Sequence, residues 1–222
     1  MARYMWGAPG SLFATVEEAL AWVEPQFAAV RPEVSPAPIP ASRRVGLFYG
    51  STTGVTEVVA LEIQKVWAAH GLDPLAAVNI GMITDLSVLL DYDHLILGVP
   101  TWNVGQLQDD WEIALPGLDR LDFSGKQIAL FGVGVQYGYP DNYLDAVGTL
   151  GAKLTARGAT LVGHWNDGRY EFAASTAFVD GKFIGLALDE VHQAEHTDRR
   201  INQWVEQIIA EFALEPQAQS GA

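Results

Sequence analysis

The chain contains no cysteine, which excludes a disulfide framework, a thiolate metal site and thiol redox chemistry. Cations are also scarce: 13 Lys and Arg stand against 27 Asp and Glu, a formal net charge of −14. So acidic a chain is poorly equipped to replace the counterions of nucleic acid or of an anionic membrane, and neither is an expected partner. A basic protein partner, or solubility alone, suits the charge. No run approaches the ~18 consecutive apolar residues of a membrane span. Met1 to Gly10 lacks the apolar core of a signal peptide. The expectation is a cytoplasmic protein without membrane insertion. Apolar residues are plentiful, at 49% of 222, enough for the core of one domain with an appendage.

The most informative stretch is the turn Gly50-Ser51-Thr52-Thr53-Gly54-Val55-Thr56. It follows the apolar run Val45–Tyr49 and precedes a helical pattern of Val59, Ile63, Val66 and Trp67. Unpaired N–H groups at a helix N-terminus attract an anion, and the helix dipole adds partial positive charge. Ser51, Thr52, Thr53 and Thr56 add hydroxyl donors. No Lys or Arg lies between Arg44 and Lys65, and Val55 stands where a Walker loop requires Lys. The G-x-G-x-x-G dinucleotide pattern is missing as well. A monophosphate suits such a Lys-free cradle better than a nucleoside triphosphate or NAD. The alternative is an ordinary Ser/Thr-rich strand–helix loop.

Residues 1–43 read as an extension. Leu12, Val16, Ala19, Leu20, Val23, Phe27 and Val30 recur at helical spacing, Thr15 and Glu18 form a capping box, and Pro25 interrupts the pattern. Prolines 32, 36, 38 and 40 then make a linker. From Arg44, strand and helix alternate. Strands are expected at Val45–Tyr49, Leu75–Val78, Leu95–Val99, Gln127–Val133 and Thr160–Val162, with helices at Gly54–His70, Tyr143–Arg157 and Ile201–Phe212. Apolar runs of this kind are buried on both faces, hence a doubly wound parallel sheet covered by helices. Such sheets bind ligands beyond the carboxyl ends of their strands. Three loops fall there: the cradle at 50–56, Pro100–Gly105, and Gly134–Tyr139. The last two carry aromatics that could grip a flat ring.

In order and spacing, these pieces resemble the long-chain flavodoxins over residues 44–214. The resemblance rests on Gly46–Gly54, Pro100–Gly105, Leu107–Trp111, Asp122–Lys126, Gly138–Asn142, Arg157–Ala159, Val162–Trp165 and Gly181–Glu190. It implies a flavodoxin-like five-stranded sheet of order 2-1-3-4-5 and an FMN cofactor. By resemblance, Ser51, Thr52, Thr53, Gly54, Val55 and Thr56 hold the phosphate. Trp102 stacks on one face of the isoalloxazine ring and Tyr139 on the other. Thr101, Asn103 and Val104 line the ring edge through backbone atoms, and Gly105 is counted with them among the cofactor-binding residues. Val133, Gly134 and Val135 lie at the pyrimidine side, with Gly134 and Val135 meeting it through their main chain. Asn142 and Asp145 approach the phosphate–ribityl end. His164 to Lys182 matches the loop that interrupts the last strand in long-chain members. Residues 215–222 are left as a disordered tail.

The implied function is that of a low-potential one-electron carrier. It shuttles between semiquinone and hydroquinone, taking electrons from a flavin reductase or photosystem and passing them to an iron–sulfur or other metalloenzyme. A monomer without enzymatic activity of its own is implied. A ring sandwiched by Trp and Tyr is desolvated and faces electron-rich groups, which disfavours the anionic, fully reduced flavin. The peptide Asn103–Val104 would turn its carbonyl toward the flavin N5–H; many members carry Gly at 103, and Asn also tolerates positive φ. Asp109, Asp110, Glu112, Asp189 and Glu190 are expected to form an acidic face that steers basic partners.

The departures are Val55, where the family often has Asn or Lys, Val135, where it usually has Asp, Val133 and Val191. The first 43 residues have no counterpart. An FMN-dependent quinone reductase of related fold is the alternative function, but it needs an open pocket over a ring that Trp102 and Tyr139 would cover. A binding module that has lost FMN is a third reading, prompted by Val55 and Val135. The five histidines are scattered, and the pair His192 and His196 reads as exposed rather than as a metal site.

Overall fold

The computed structural model describes residues 44–215. The expected helix and proline linker of residues 1–43, and residues 216–222 of the expected tail, lie outside them. Five strand positions build the main sheet: β1 (Val45–Tyr49), β2 (Ala77–Asn79), β3 (His94–Trp102), β5 (Gln127–Val133), and a fifth shared by β6 (Thr160–Val162) and β9 (Leu186–Leu188). The order is β2-β1-β3-β5 with β6 and β9 both against β5, all parallel. This is the expected order 2-1-3-4-5, with its last strand broken in two. Residues 163–185 form the break and contain a hairpin of β7 (Phe178–Val179) and β8 (Lys182–Phe183).

The central strands are apolar throughout because helices cover both of their faces. Leu95, Ile96, Leu97, Val99, Ile128, Ala129, Leu130 and Phe131 are fully buried. Helix α1 (Val55–Ala69) buries Val59, Ile63, Val66 and Trp67 at three- and four-residue spacing and packs with α4 (Thr197–Glu211). Helices α2 (Asp109–Leu118) and α3 (Asp145–Ala156) pack together and contribute Trp111, Leu118, Val147 and Leu150.

Some elements differ from the sequence expectation. The second strand is Ala77–Asn79, not Leu75–Val78, and Leu75 is instead a buried residue before it. Pro100, Thr101 and Trp102 are not loop: β3 runs on through them, and Thr101 and Trp102 pair with Leu107 and Gln106 of the short antiparallel β4 (Gln106–Leu107). Helix α2 was not expected at all. Its first turn carries three acids, which suit the positive end of a helix dipole, but Pro116 near its end hides the pattern. No described helix is long and apolar enough to cross a membrane.

Candidate functional site

Strands β1, β3 and β5 are neighbours in the sheet, so the loops leaving their carboxyl ends are neighbours too. The first is the cradle. Gly54 precedes α1 at φ 87°, in open space, a conformation that side-chain-bearing residues rarely adopt. It lets the chain turn abruptly into the helix with no side-chain cap. The backbone N–H groups of Thr52, Thr53, Val55 and Thr56 find no acceptor among the described residues, while Gly54 donates to Ser51 Oγ at 3.1 Å. Because Ser51 Oγ accepts that bond, its own hydrogen is free to point outward. Thr52, Thr53 and Val55 are exposed, and Thr56 is buried. Gly50 anchors the turn by donating to Gly98 O at 3.0 Å. A Cβ on Gly50 would collide with Gln108 and Trp111, and Trp111 Nε1 donates to the same Gly98 carbonyl at 2.8 Å.

The second loop leaves β3 at Trp102, whose ring is half-buried. Asn103 takes φ 44° and Gly105 φ 90°, and Asn103 Nδ2 donates to Gln106 Oε1 at 2.8 Å, which fixes the tight end of the hairpin. Val104 projects from it, 67% exposed. Thr101 turns back, its Oγ1 accepting the Ala146 N–H at 3.3 Å.

The third loop follows β5. Val133 is still in the sheet, paired with Pro100 and Leu188 on its two sides. Gly134 donates to Leu188 O at 3.0 Å, so its N–H is occupied, whereas the Val135 N–H meets no acceptor among the described residues. Tyr139 is 42% exposed. Among the described residues neither its ring nor that of Trp102 stacks on another aromatic. Asn142 and Asp145 are joined to each other, Nδ2 to Oδ2 at 2.9 Å, and Asp145 Oδ1 accepts from Thr176 N at 2.7 Å and Thr176 Oγ1 at 3.0 Å. Their polar atoms therefore brace the loop against the insertion.

The rest of the insertion continues that brace. Glu171 N donates to Gln136 Oε1 at 2.7 Å, Tyr137 OH to Glu171 Oε2 at 3.0 Å, and Ala173 and Ala174 both donate to Pro140 O. The hydrogen bond to the Glu171 carboxylate, with some burial, pushes the Tyr137 hydroxyl pKa up. Beneath lies an aromatic cluster of Tyr143, Tyr170, Phe172, Phe178 and Phe183. One ionic anchor fastens it to α4. Arg200 is fully buried and grips Asp167 with Nε at 3.0 Å and Nη2 at 3.3 Å, while Arg199 Nη2 reaches the same carboxylate at 2.7 Å. The Arg200 guanidinium also lies 4.4 Å over the Tyr170 ring. Burial alone would raise the Asp167 pKa, but the bonds from Arg200 and Arg199 outweigh it and hold the pKa below the ordinary carboxylate value.

Asp189 and Glu190 do not form an exposed acidic face. Asp189 is fully buried; its Oδ2 accepts Gln136 N–H at 2.9 Å and its Oδ1 accepts the N–H groups of Val191 and His192 at 3.0 Å. Burial pushes its pKa up, yet these bonds prevail and lower it. Glu190 is partly buried and accepts from Thr197 Oγ1. Asp109 and Glu112 of α2 are exposed, with Ile113 80% exposed beside them. No cluster of three or more metal-ligating side chains occurs among the described residues. His192 caps into Asp189, its Nδ1 3.1 Å from Oδ2.

Sequence reasoning missed Gln108, which is 2% exposed and donates from Nε2 to Thr52 Oγ1 at 3.1 Å and to Asp110 Oδ2 at 2.8 Å. The only available signal was its place in the Leu107–Trp111 motif.

Comparison with known proteins agrees with this architecture. The family model described as Flavodoxin matches residues 47–204. The flavodoxin of Nostoc sp. (strain PCC 7120) is 48% identical over 173 residues, 78% of this chain and 99% of that protein. Flavodoxin 1 of Salmonella typhimurium is 44% identical over 171 residues, 77% and 95% of the two chains. A crystal structure of the Fusobacterium nucleatum flavodoxin, bound to flavin mononucleotide, superposes with a TM-score of 0.70 at 29% identity, covering 75% of this chain and 97% of that one. With motif order, sheet topology and near end-to-end alignment to these relatives all in agreement, the chain belongs to the flavodoxin family.

Proposed function

We propose that residues 44–214 bind FMN and carry single electrons between protein partners in the cytoplasm, and that residues 1–43 are a separate extension. The observation that carries this is one sheet edge presenting two complementary halves. One half is a cation-free cradle in which the N–H groups of Thr52, Thr53, Val55 and Thr56, and the hydroxyl hydrogens of Ser51 and Thr52, meet no acceptor among the described residues; the other is a pair of partly exposed rings, Trp102 and Tyr139, with no ring stacked on either among the described residues. A ligand with a phosphate at one end and a flat aromatic head at the other satisfies both.

Bound FMN supplies two successive one-electron steps. The protein's own residues do the rest. Ser51, Thr52, Thr53 and the start of α1 hold the phosphate dianion by neutral donors. Trp102 and Tyr139 exclude water from the ring faces and oppose added negative charge by their own π density. Asn103, already at positive φ, presents the Asn103–Val104 peptide to the ring edge. The Val135 N–H can donate to the pyrimidine side, and Gly134 has only its carbonyl left for that purpose.

Ile113 is an exposed apolar residue on the helix that carries the exposed acids Asp109 and Glu112, and Val104 is exposed on the hairpin that precedes that helix; such a mixture suits brief docking with basic redox proteins. A flavin reductase or photosystem as donor and an iron–sulfur or other metalloenzyme as acceptor fit this chemistry, with the carrier acting as a monomer. The test is direct. The purified full chain should be yellow, should release one equivalent of FMN on denaturation, and should take up electrons singly on photoreduction. A colourless protein that does not bind added FMN would sink the proposal.

A further inference from the structure

The polar atoms around Gln108 carry an inference about how the cradle recognises phosphate; it rests on the FMN reading above. Gln108 is the residue before α2 and is almost wholly buried. Its Nε2 has two hydrogens, and both are assigned, one to Asp110 Oδ2 at 2.8 Å and one to Thr52 Oγ1 at 3.1 Å. An ionised carboxylate only accepts, so the bond to Asp110 decides which end of the amide is the nitrogen. The opposite end makes the same point: Gln108 Oε1 is buried against Gly50 with no hydrogen-bond partner among the described residues. An unpaired buried carbonyl is unfavourable, so the amide is held in this sense by what its nitrogen does.

The consequence falls on Thr52. A hydroxyl has one hydrogen and two lone pairs. Since Thr52 Oγ1 already accepts from Gln108, its hydrogen points elsewhere, and among the described residues it finds no acceptor. Thr52 is exposed in the cradle, beside the unpartnered N–H groups of the α1 N-terminus. We propose that Gln108, oriented by Asp110, is a positioning residue that presets the Thr52 hydroxyl as a hydrogen-bond donor to the phosphate of FMN. Asp110 thereby favours the bound anion through a relay, despite its own negative charge.

The experiment compares FMN with riboflavin, which lacks the phosphate, on the full chain freed of flavin, using quenching of flavin fluorescence. The informative variant is Gln108→Glu. Glu has nearly the same shape, and 2.8 Å from the Asp110 carboxylate it shares one proton with that group, which adds no net charge; with the proton held between the two carboxyls the new side chain only accepts toward Thr52, so the Thr52 hydrogen turns inward to it. A hydrogen bond to a charged group contributes roughly 1.5–3 kcal/mol, which at 1.4 kcal/mol per decade is a loss of about 10- to 100-fold in FMN affinity. Riboflavin affinity should be unchanged. Thr52→Val should lower the FMN-to-riboflavin preference similarly, and Gln108→Glu added to Thr52→Val should lower it no further. If Gln108→Glu does not fold, Thr52→Val with Asp110→Asn gives the same cycle, because a neutral amide in place of the carboxylate can donate as well as accept and no longer dictates the sense of Gln108. An unaltered preference in the variants, equal losses for both flavins, or additive losses in the double variant would overturn the relay alone. A wild-type chain that binds neither flavin would overturn the FMN reading with it.

Discussion

Asp167→Asn should be among the most damaging single changes outside the cofactor site. Among the described residues Asp167 is the sole carboxylate hydrogen-bonded to Arg200, a side chain with no exposed surface, and the two share two hydrogen bonds. Removing one partner of a buried ion pair leaves the other charged and desolvated, at a cost of about 3–5 kcal/mol. Asn keeps one acceptor, and Gln193 Oε1 still accepts from Arg200 Nη2 at 2.6 Å, so the lower end, roughly 3–4 kcal/mol, is expected. The Arg199 bond adds little, since Arg199 is 38% exposed at its side chain. For a domain of this size the loss corresponds to a fall in Tm of about 6–16 °C.

The pH dependence adds a second signature. Because the folded-state pKa of Asp167 is depressed, its stabilisation is complete above the ordinary value of 3.8 and disappears as pH falls through the lower folded value. The wild-type chain should therefore lose stability in that acid window more steeply than the variant. Urea unfolding of the flavin-free chain, followed by Trp fluorescence from about pH 7 to about pH 3, reads both. A loss under about 1 kcal/mol at neutral pH, with parallel pH profiles, would show that Tyr170 and Gln193 alone can hold the Arg200 charge and that the ionic anchor has been misjudged.

Trp102→Ala should weaken FMN binding by about tenfold, the scale of one aromatic stacking contact, with no loss of apoprotein stability; fluorescence titration and thermal melts check the two halves. Val135→Asp restores a negative charge beside the ring and should lower the potential of the second electron by tens of millivolts, measurable by redox titration with mediators. Electron transfer to a basic partner protein should slow as ionic strength rises toward about 0.15 M, and Asp109→Asn with Glu112→Gln should flatten that dependence in stopped-flow traces. Removing residues 1–43 should leave the bound-flavin spectrum unaltered; a lost spectrum would tie the extension to the site.

The sheet was legible because its strands are apolar on both faces, a pattern of side chains and not of contacts: Leu95–Val99 and Ile128–Phe131 announce burial by themselves. The cradle was legible for a similar reason, since Gly54 and its hydroxyl neighbours are local chemistry. Helix α2 was not, because its acids resemble a loop and Pro116 breaks the spacing. Asp189 was misplaced for a different reason. A carboxylate reads as surface until the loop that supplies its N–H donors is known, and Gln136 lies 53 residues away. Gln108 shows the same limit: a relay from Asp110 to Thr52 exists only once residues 56 apart in sequence meet.

The broken fifth strand has a consequence for how the protein behaves in a crowded solution. The two outer positions of a sheet are where stray chains add on, and long, flat edges are the hazard. Here one edge is β2, three residues long, followed at once by a turn of 3-10 helix. The other is divided into β6 and β9, three residues each, kept apart by the residues between them. Neither rim offers a template longer than three residues among the described ones, so the exposed apolar side chains of Val104 and Ile113 are not joined there by a long open edge that another copy could extend.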